Sequence, residues 1–292
     1  MSRLPYLPGA LAMVPVLLAG AWAAADEYAE KSRALVAQHG DSIVTVELVI
    51  EISMSMMGMG ERSEEQMNAG GTVVHPEGWV LLTNTSIDPT GQYESMLGML
   101  PDGMSFESRV TSSRIRYADG TEVDGQVVLR DTDMDLALVK PVEPPDEPQP
   151  YVNFEDAATL GMFDPAITLT RLGRVARYEL AGYAGRIAAV IERPRLLYVM
   201  NGQAGAPVFD LDGTPVGICA QRTFGGGAIT SFMDFESNIM SVVVPGPDLV
   251  EFLEQGADAE LTEEEDEPEA DDEDGPASPG EDAIVLETPT DE

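Results

Sequence analysis

Residues 202–208 read Gly-Gln-Ala-Gly-Ala-Pro-Val, between Leu196-Leu-Tyr-Val-Met-Asn201 and Phe209-Asp-Leu-Asp-Gly-Thr-Pro-Val-Gly-Ile218. Short apolar runs flank a glycine-rich loop, and an Asp212-Gly213 turn separates two further apolar runs. Such spacing predicts strand, tight loop, strand, turn and strand rather than helix. One residue of the loop, Ala204, decides its chemistry, because a methyl group cannot attack a carbonyl.

The same rhythm extends along the chain. Ile43–Ile52 alternates as a half-buried strand. Thr72–Val74 returns through a His75–Gly78 turn as Trp79–Thr83, and Arg114–Tyr117 pairs with Glu122–Val128 across Asp119-Gly120. Asp135–Val139 reads as a short buried strand. Pro141–Pro150 is rich in proline and acid and reads as a linker. Beyond it, Ala166–Thr170, Gly182–Ile191, Leu196–Val199, Ala206–Phe209, Pro215–Ala220 and Met240–Val244 are predicted strands. Helices are predicted at Asp26–His39 and Pro247–Gln255. The expected fold is all-β: two antiparallel six-stranded-type β-barrels, at about 41–140 and 151–246, with short N- and C-terminal helices.

Both ends of the 292-residue chain differ from this middle. Residues 1–25 read as an export signal, with Arg3, an apolar stretch from Leu11 to Leu18, and small residues before Asp26. An uncleaved membrane anchor is the competing reading. Export to a periplasmic or extracellular compartment is the expectation, with no membrane contact after cleavage. Residues 257–292 hold 17 of the 52 acidic groups and no Lys or Arg, and are expected to be a disordered acidic tail. The remaining chain still carries a net charge of −19. That excludes nucleic acid as a natural partner. The single cysteine, Cys219, lies in an apolar strand and reads as a buried, inert thiol.

Three segments, in order, resemble the catalytic segments of HtrA/DegP-type trypsin-like serine proteases. Gly78-Trp-Val-Leu-Leu-Thr-Asn-Thr-Ser86-Ile-Asp is similar to the family's Gly-Tyr-Ile-Leu-Thr-Asn-x-His-Val-Val. Asp131-Thr-Asp-Met-Asp135-Leu-Ala-Leu-Val-Lys140 is similar to Asp-x-x-x-Asp-Leu-Ala-Leu-Leu-Lys. The loop at 202–208 is similar to Gly-Asn-Ser-Gly-Gly-Pro. The resemblance covers about Asp41 to Gln255 and implies a trypsin-like double barrel spanning 26–256. It implies that Asp135 is the triad acid, that Ser86 stands in the histidine's place, and that Ala204 stands in the nucleophile's place. The expected protein is therefore a pseudoprotease without the PDZ domain of many relatives. It needs no cofactor, and it binds a polypeptide or protein partner or acts as a scaffold. Oligomer formation is left open.

The triad mechanism needs a hydroxyl, a base and an acid that orients the base. Only His39 and His75 are present as bases, and both read as surface residues. Gly202, Gln203 and Ala204 retain backbone N–H groups of the kind that form an oxyanion hole. An active serine endopeptidase with a non-standard site is the alternative reading. Metal handling is a second alternative: Met54, Met56, Met57 and Met59 lie in an expected loop, and thioethers suit Cu(I). Asp131-x-Asp133-x-Asp135 lacks the glycine and glutamate of a calcium loop.

Overall fold

A computed structural model describes residues 14–56, 59–90, 104–223 and 239–261. Residues 1–13, Met57, Met96, Met99 and the acidic segment from Thr262 lie outside the described residues. The elements are α1 (Val14–His39), β1 (Ile43–Met56), β2 (Met59–Val73), β3 (Val80–Leu82), the single turn α2 (Asn84–Ile87), β4 (Met104–Arg116), β5 (Glu122–Asp131) and β6 (Leu136–Pro141). Then come β7 (Pro165–Arg171), β8 (Leu180–Arg186), β9 (Ala189–Ile191), β10 (Leu197–Val199), β11 (Pro207–Phe209), β12 (Pro215–Thr223), β13 (Ile239–Pro245) and α3 (Gly246–Ala257). Among the described residues, no helix is long and apolar enough to cross a membrane.

The first sheet closes as a barrel in the order β1-β2-β3-β6-β5-β4. β1 shows why. Val44, Val46, Leu48, Ile50 and Ile52 all point inward and are buried with Ile115, Ala137 and Val139. That alternation specifies register, since a slip of one residue would expose the whole set. The segment read as a methionine loop is a long hairpin instead. β1 and β2 pair from Ile43↔Thr72 out to Met56↔Met59. Along this hairpin Met54 is paired with Glu61 and Met67 with Leu48.

The second sheet curls as a half-barrel, in keeping with the double barrel expected, with one of the six predicted strands split in two. It has seven strands in the order β8-β7-β11-β12-β13-β10-β9. The segment predicted as one strand, Gly182–Ile191, breaks at Ile187-Ala188. Ile187 exchanges hydrogen bonds with Phe163 and Asp164 beside β7, whereas the Ala188 N–H turns to the Val199 carbonyl in β10 at 2.7 Å. One bent strand thus supplies both edges of the sheet, and the sheet curls to bring them together.

Another cluster fills the space between the sheets. It includes Ile43, Leu81, Leu138, Phe154, Leu169, Phe209 and Ile218, capped by Leu35 of α1 and by Leu249 and Phe252 of α3. His39 belongs to this interface and is not the surface residue its position suggests. It is 9% exposed, stacks on Phe209 with centroids 4.5 Å apart, and its Nε2 donates to the Gly213 carbonyl at 3.2 Å. Burial holds its pKa below the ordinary 6.5. The folded state therefore favours the neutral ring. The stabilising contribution is complete above pH 6.5 and is lost as pH falls through the depressed folded value. Urea unfolding between pH 7.5 and 5 is expected to show this loss, and His39→Gln is expected to abolish it.

Candidate functional site

The loop carrying Ala204 joins β10 to β11 and is tied in three directions. Gly205 N–H donates to the Cys219 carbonyl at 2.8 Å, and Cys219 N–H returns to the Ala206 carbonyl at 2.8 Å. Thr72 Oγ1 of β2 donates to the Gly205 carbonyl at 3.0 Å, and Ser241 Oγ of β13 donates to the Gly202 carbonyl at 3.2 Å. Gly205 sits at φ +79°, and a Cβ there would collide with the Gly70 carbonyl oxygen of the first barrel. Gly202 is confined in the same way, because a Cβ would strike Cys219 Sγ. Only glycine satisfies both the left-handed backbone and the close approach at 205. Gly205→Ala is expected to cost about 2–4 kcal/mol, from strain plus displacement of the loop, measured by chemical denaturation. The Cys219 thiol is fully buried, and burial pushes its pKa up to about 12, so it is no nucleophile.

Asp135 enters from the first barrel, just before β6. It is 4% exposed and adopts the left-handed φ of 56°. Its Oδ1 accepts the Thr85 N–H at 2.8 Å. Its Oδ2 accepts the Gln221 N–H at 2.8 Å and the Thr85 hydroxyl at 3.3 Å. Thr85 lies on α2 and Gln221 on β12, so the carboxylate bridges the two sheets. Burial raises its pKa, and the donors from Gln221 and Thr85 oppose that shift. Ser86, next to Thr85, does not bond Asp135. Its Oγ lies 2.6 Å from Thr83 Oγ1 instead.

β12 brings these pieces together. Its Cys219 holds the Ala204 loop and its Gln221, two residues on, holds Asp135. Gln221 was not legible as a partner, because its backbone rather than its side chain does the work. Neither histidine joins the group. His39 is committed to Phe209 and Gly213, and His75 stacks on Trp79 at 4.0 Å while its Nδ1 accepts the Glu77 N–H. Asp131, read against a calcium loop, accepts the N–H groups of Asp133 and Met134 and simply closes the turn before β6. Among the described residues, no three His, Cys, Asp or Glu side chains gather as a metal site.

A cleft of about 560 Å³ adjoins the loop, lined by Tyr183, Gly185, Arg186, Met200, Gly202 and Gln203 among others. Within the described residues, the loop's own hydrogen bonds employ the N–H groups of Gly205 and Ala206. Those of Gly202, Gln203 and Ala204 are not among the donors.

No protein-family model matches the chain, and neither does any curated protein sequence. Solved structures do. The HtrA-type protease AlgW with a decapeptide aligns at a TM-score of 0.50 and 16% identity, covering 78% of this chain and 66% of that one. AlgW with a tripeptide aligns at 0.47 and 15%, covering 76% and 62%. The chain thus spans just under two thirds of the length of the proteases it matches. At such identities the likeness concerns fold, and that fold is the trypsin-like double barrel of HtrA-type proteases.

Proposed function

We propose that this protein binds extended polypeptide without cleaving it, using a trypsin-like site that lacks its base and its nucleophile. One observation carries the reading: the Asp135 carboxylate is engaged by Thr85 and Gln221, with no imidazole among its partners. Ser86 offers a hydroxyl already paired with Thr83, and Ala204 offers a methyl. Loss of either base or nucleophile costs about 10⁶ in rate, leaving about 10³–10⁴ over water. Such a residue is too slow for useful peptide hydrolysis. Binding needs less: an open cleft and backbone donors, both of which lie beside Ala204.

The test uses fluorescently labelled unfolded casein and the purified protein. The expected result is saturable binding, read by anisotropy, with no cleavage above buffer over a day. Turnover at the rate of a working protease, lost on Ser86→Ala, would establish the opposite reading of a serine endopeptidase with an unorthodox site.

A further inference from the structure

Among the described residues, one wall of the cleft beside Ala204 is a sheet edge with no strand paired to it. β8 pairs with β7 from Pro165↔Arg186 to Arg171↔Leu180, and it ends the sheet on its other side. No charged residue occurs between Leu180 and Gly185, and Gly182, Tyr183 and Ala184 are exposed. Exposed edges are ordinarily protected by charge, proline or a bulge, because their free N–H and C=O groups template another strand. Here only Arg186, at the end of β8, is charged. An edge of this kind takes an extended peptide by strand addition.

The opposite wall is the stretch from Val199 to Gln203. It contributes the Gly202 and Gln203 amides, which the loop's own hydrogen bonds leave unused. Among the described residues, Arg186 is the only charged one lining the cleft, and none of them contributes a carboxylate to it. Its Nη1 donates to the Phe163 carbonyl at 2.7 Å, which among the described residues leaves the other guanidinium N–H groups for a ligand. The local sign is thus opposite to that of the chain, which carries −36 overall. The complement of such a lining is one anionic group at the end of an otherwise uncharged extended chain. A cleft of about 560 Å³ is large enough for a few terminal residues.

We propose that the cleft captures the free C-terminus of a polypeptide. The last residues add as a strand to β8, and the terminal carboxylate takes its donors from the Gly202 and Gln203 amides and its counter-charge from Arg186. The proposal rests on the polypeptide-binding reading above and narrows it to chain ends.

The full chain is screened against a random decapeptide library with free C-termini and against the same library amidated. Individual peptides selected from the first are then measured as acid and as amide. The acid is expected to bind at least about tenfold more tightly, as charge-assisted hydrogen bonds warrant. Arg186→Gln is expected to bring the acid-to-amide ratio close to one, and Arg186→Lys to restore part of it. N-methylation at alternate peptide nitrogens is expected to abolish binding in one of the two registers, as strand addition requires. Equal affinity of acid and amide for the unmodified protein would overturn end capture while leaving polypeptide binding intact. Absence of binders from both libraries would overturn both.

Discussion

Ser86→His combined with Ala204→Ser is expected to cleave unfolded casein under conditions where the unmodified protein is expected to show no turnover. The rate should exceed that of either single variant by at least about 10², because base and nucleophile act as a unit. The physical ground is the state of Asp135. Its carboxylate is already oriented by the Thr85 and Gln221 amides. A carboxylate has about four acceptor positions, so one remains for an imidazole N–H arriving at position 86. The nucleophile loop is likewise held, by Cys219 and Thr72. The substitution at 86 gives up the Thr83 hydroxyl contact, at a cost of about 1 kcal/mol, which the domain should tolerate. Covalent labelling at position 204 by a fluorophosphonate reports the nucleophile independently of peptide binding. A folded double variant that neither labels nor cleaves would mean that the three positions do not share triad geometry.

Asp135→Ala is expected to destabilise the folded domain by about 3–5 kcal/mol, because it strands two buried amides and one hydroxyl. For a domain of this size the melting temperature should fall by about 10 °C. The effect reaches both sheets at once, since Thr85 belongs to the first and Gln221 to the second. Asp135→Asn should cost less, as its carbonyl keeps one amide while its NH₂ confronts the other. The carboxylate itself is not a free gain. Burial raises its pKa above the ordinary value, so the folded state holds the proton more tightly than the unfolded chain. That contribution is complete at pH below the unfolded pKa and is lost as pH rises through the folded one. The two statements agree: the buried charge is costly to hold, and costlier to remove once its donors have no other acceptor. Thermal melts of the wild type and both variants from pH 3 to 7 measure both effects.

Several features were legible from residue order because they arise locally. The alternation of Ile43–Ile52 became the inward face of β1, and the Asp119-Gly120 turn joins β4 to β5. The closing helix lies one residue earlier and two later than predicted. Other features were hidden because their cause lies elsewhere in the fold. Glu61 to Gln66 is a polar run without apolar alternation, yet it forms a strand, because β1 supplies a continuous partner edge. The break at Ile187-Ala188 has no turn residues; it comes from two different neighbours, Asp164 and Val199, claiming adjacent residues. His39 looked like a helix end in solvent and is instead covered by Phe209, 170 residues on.

The candidate site divides along the same line. Residue identity alone dictates that position 204 carries a methyl, that position 86 carries a hydroxyl, and that the chain holds two histidines. Those facts bound the chemistry whatever the fold, since no packing makes a nucleophile of alanine. Tertiary structure decided the partners. Thr85, not Ser86, holds Asp135, and a backbone amide on β12 replaces any side chain as its second donor. Spacing in the chain cannot reveal such contacts, because they depend on where the second sheet sets β12 against the first barrel.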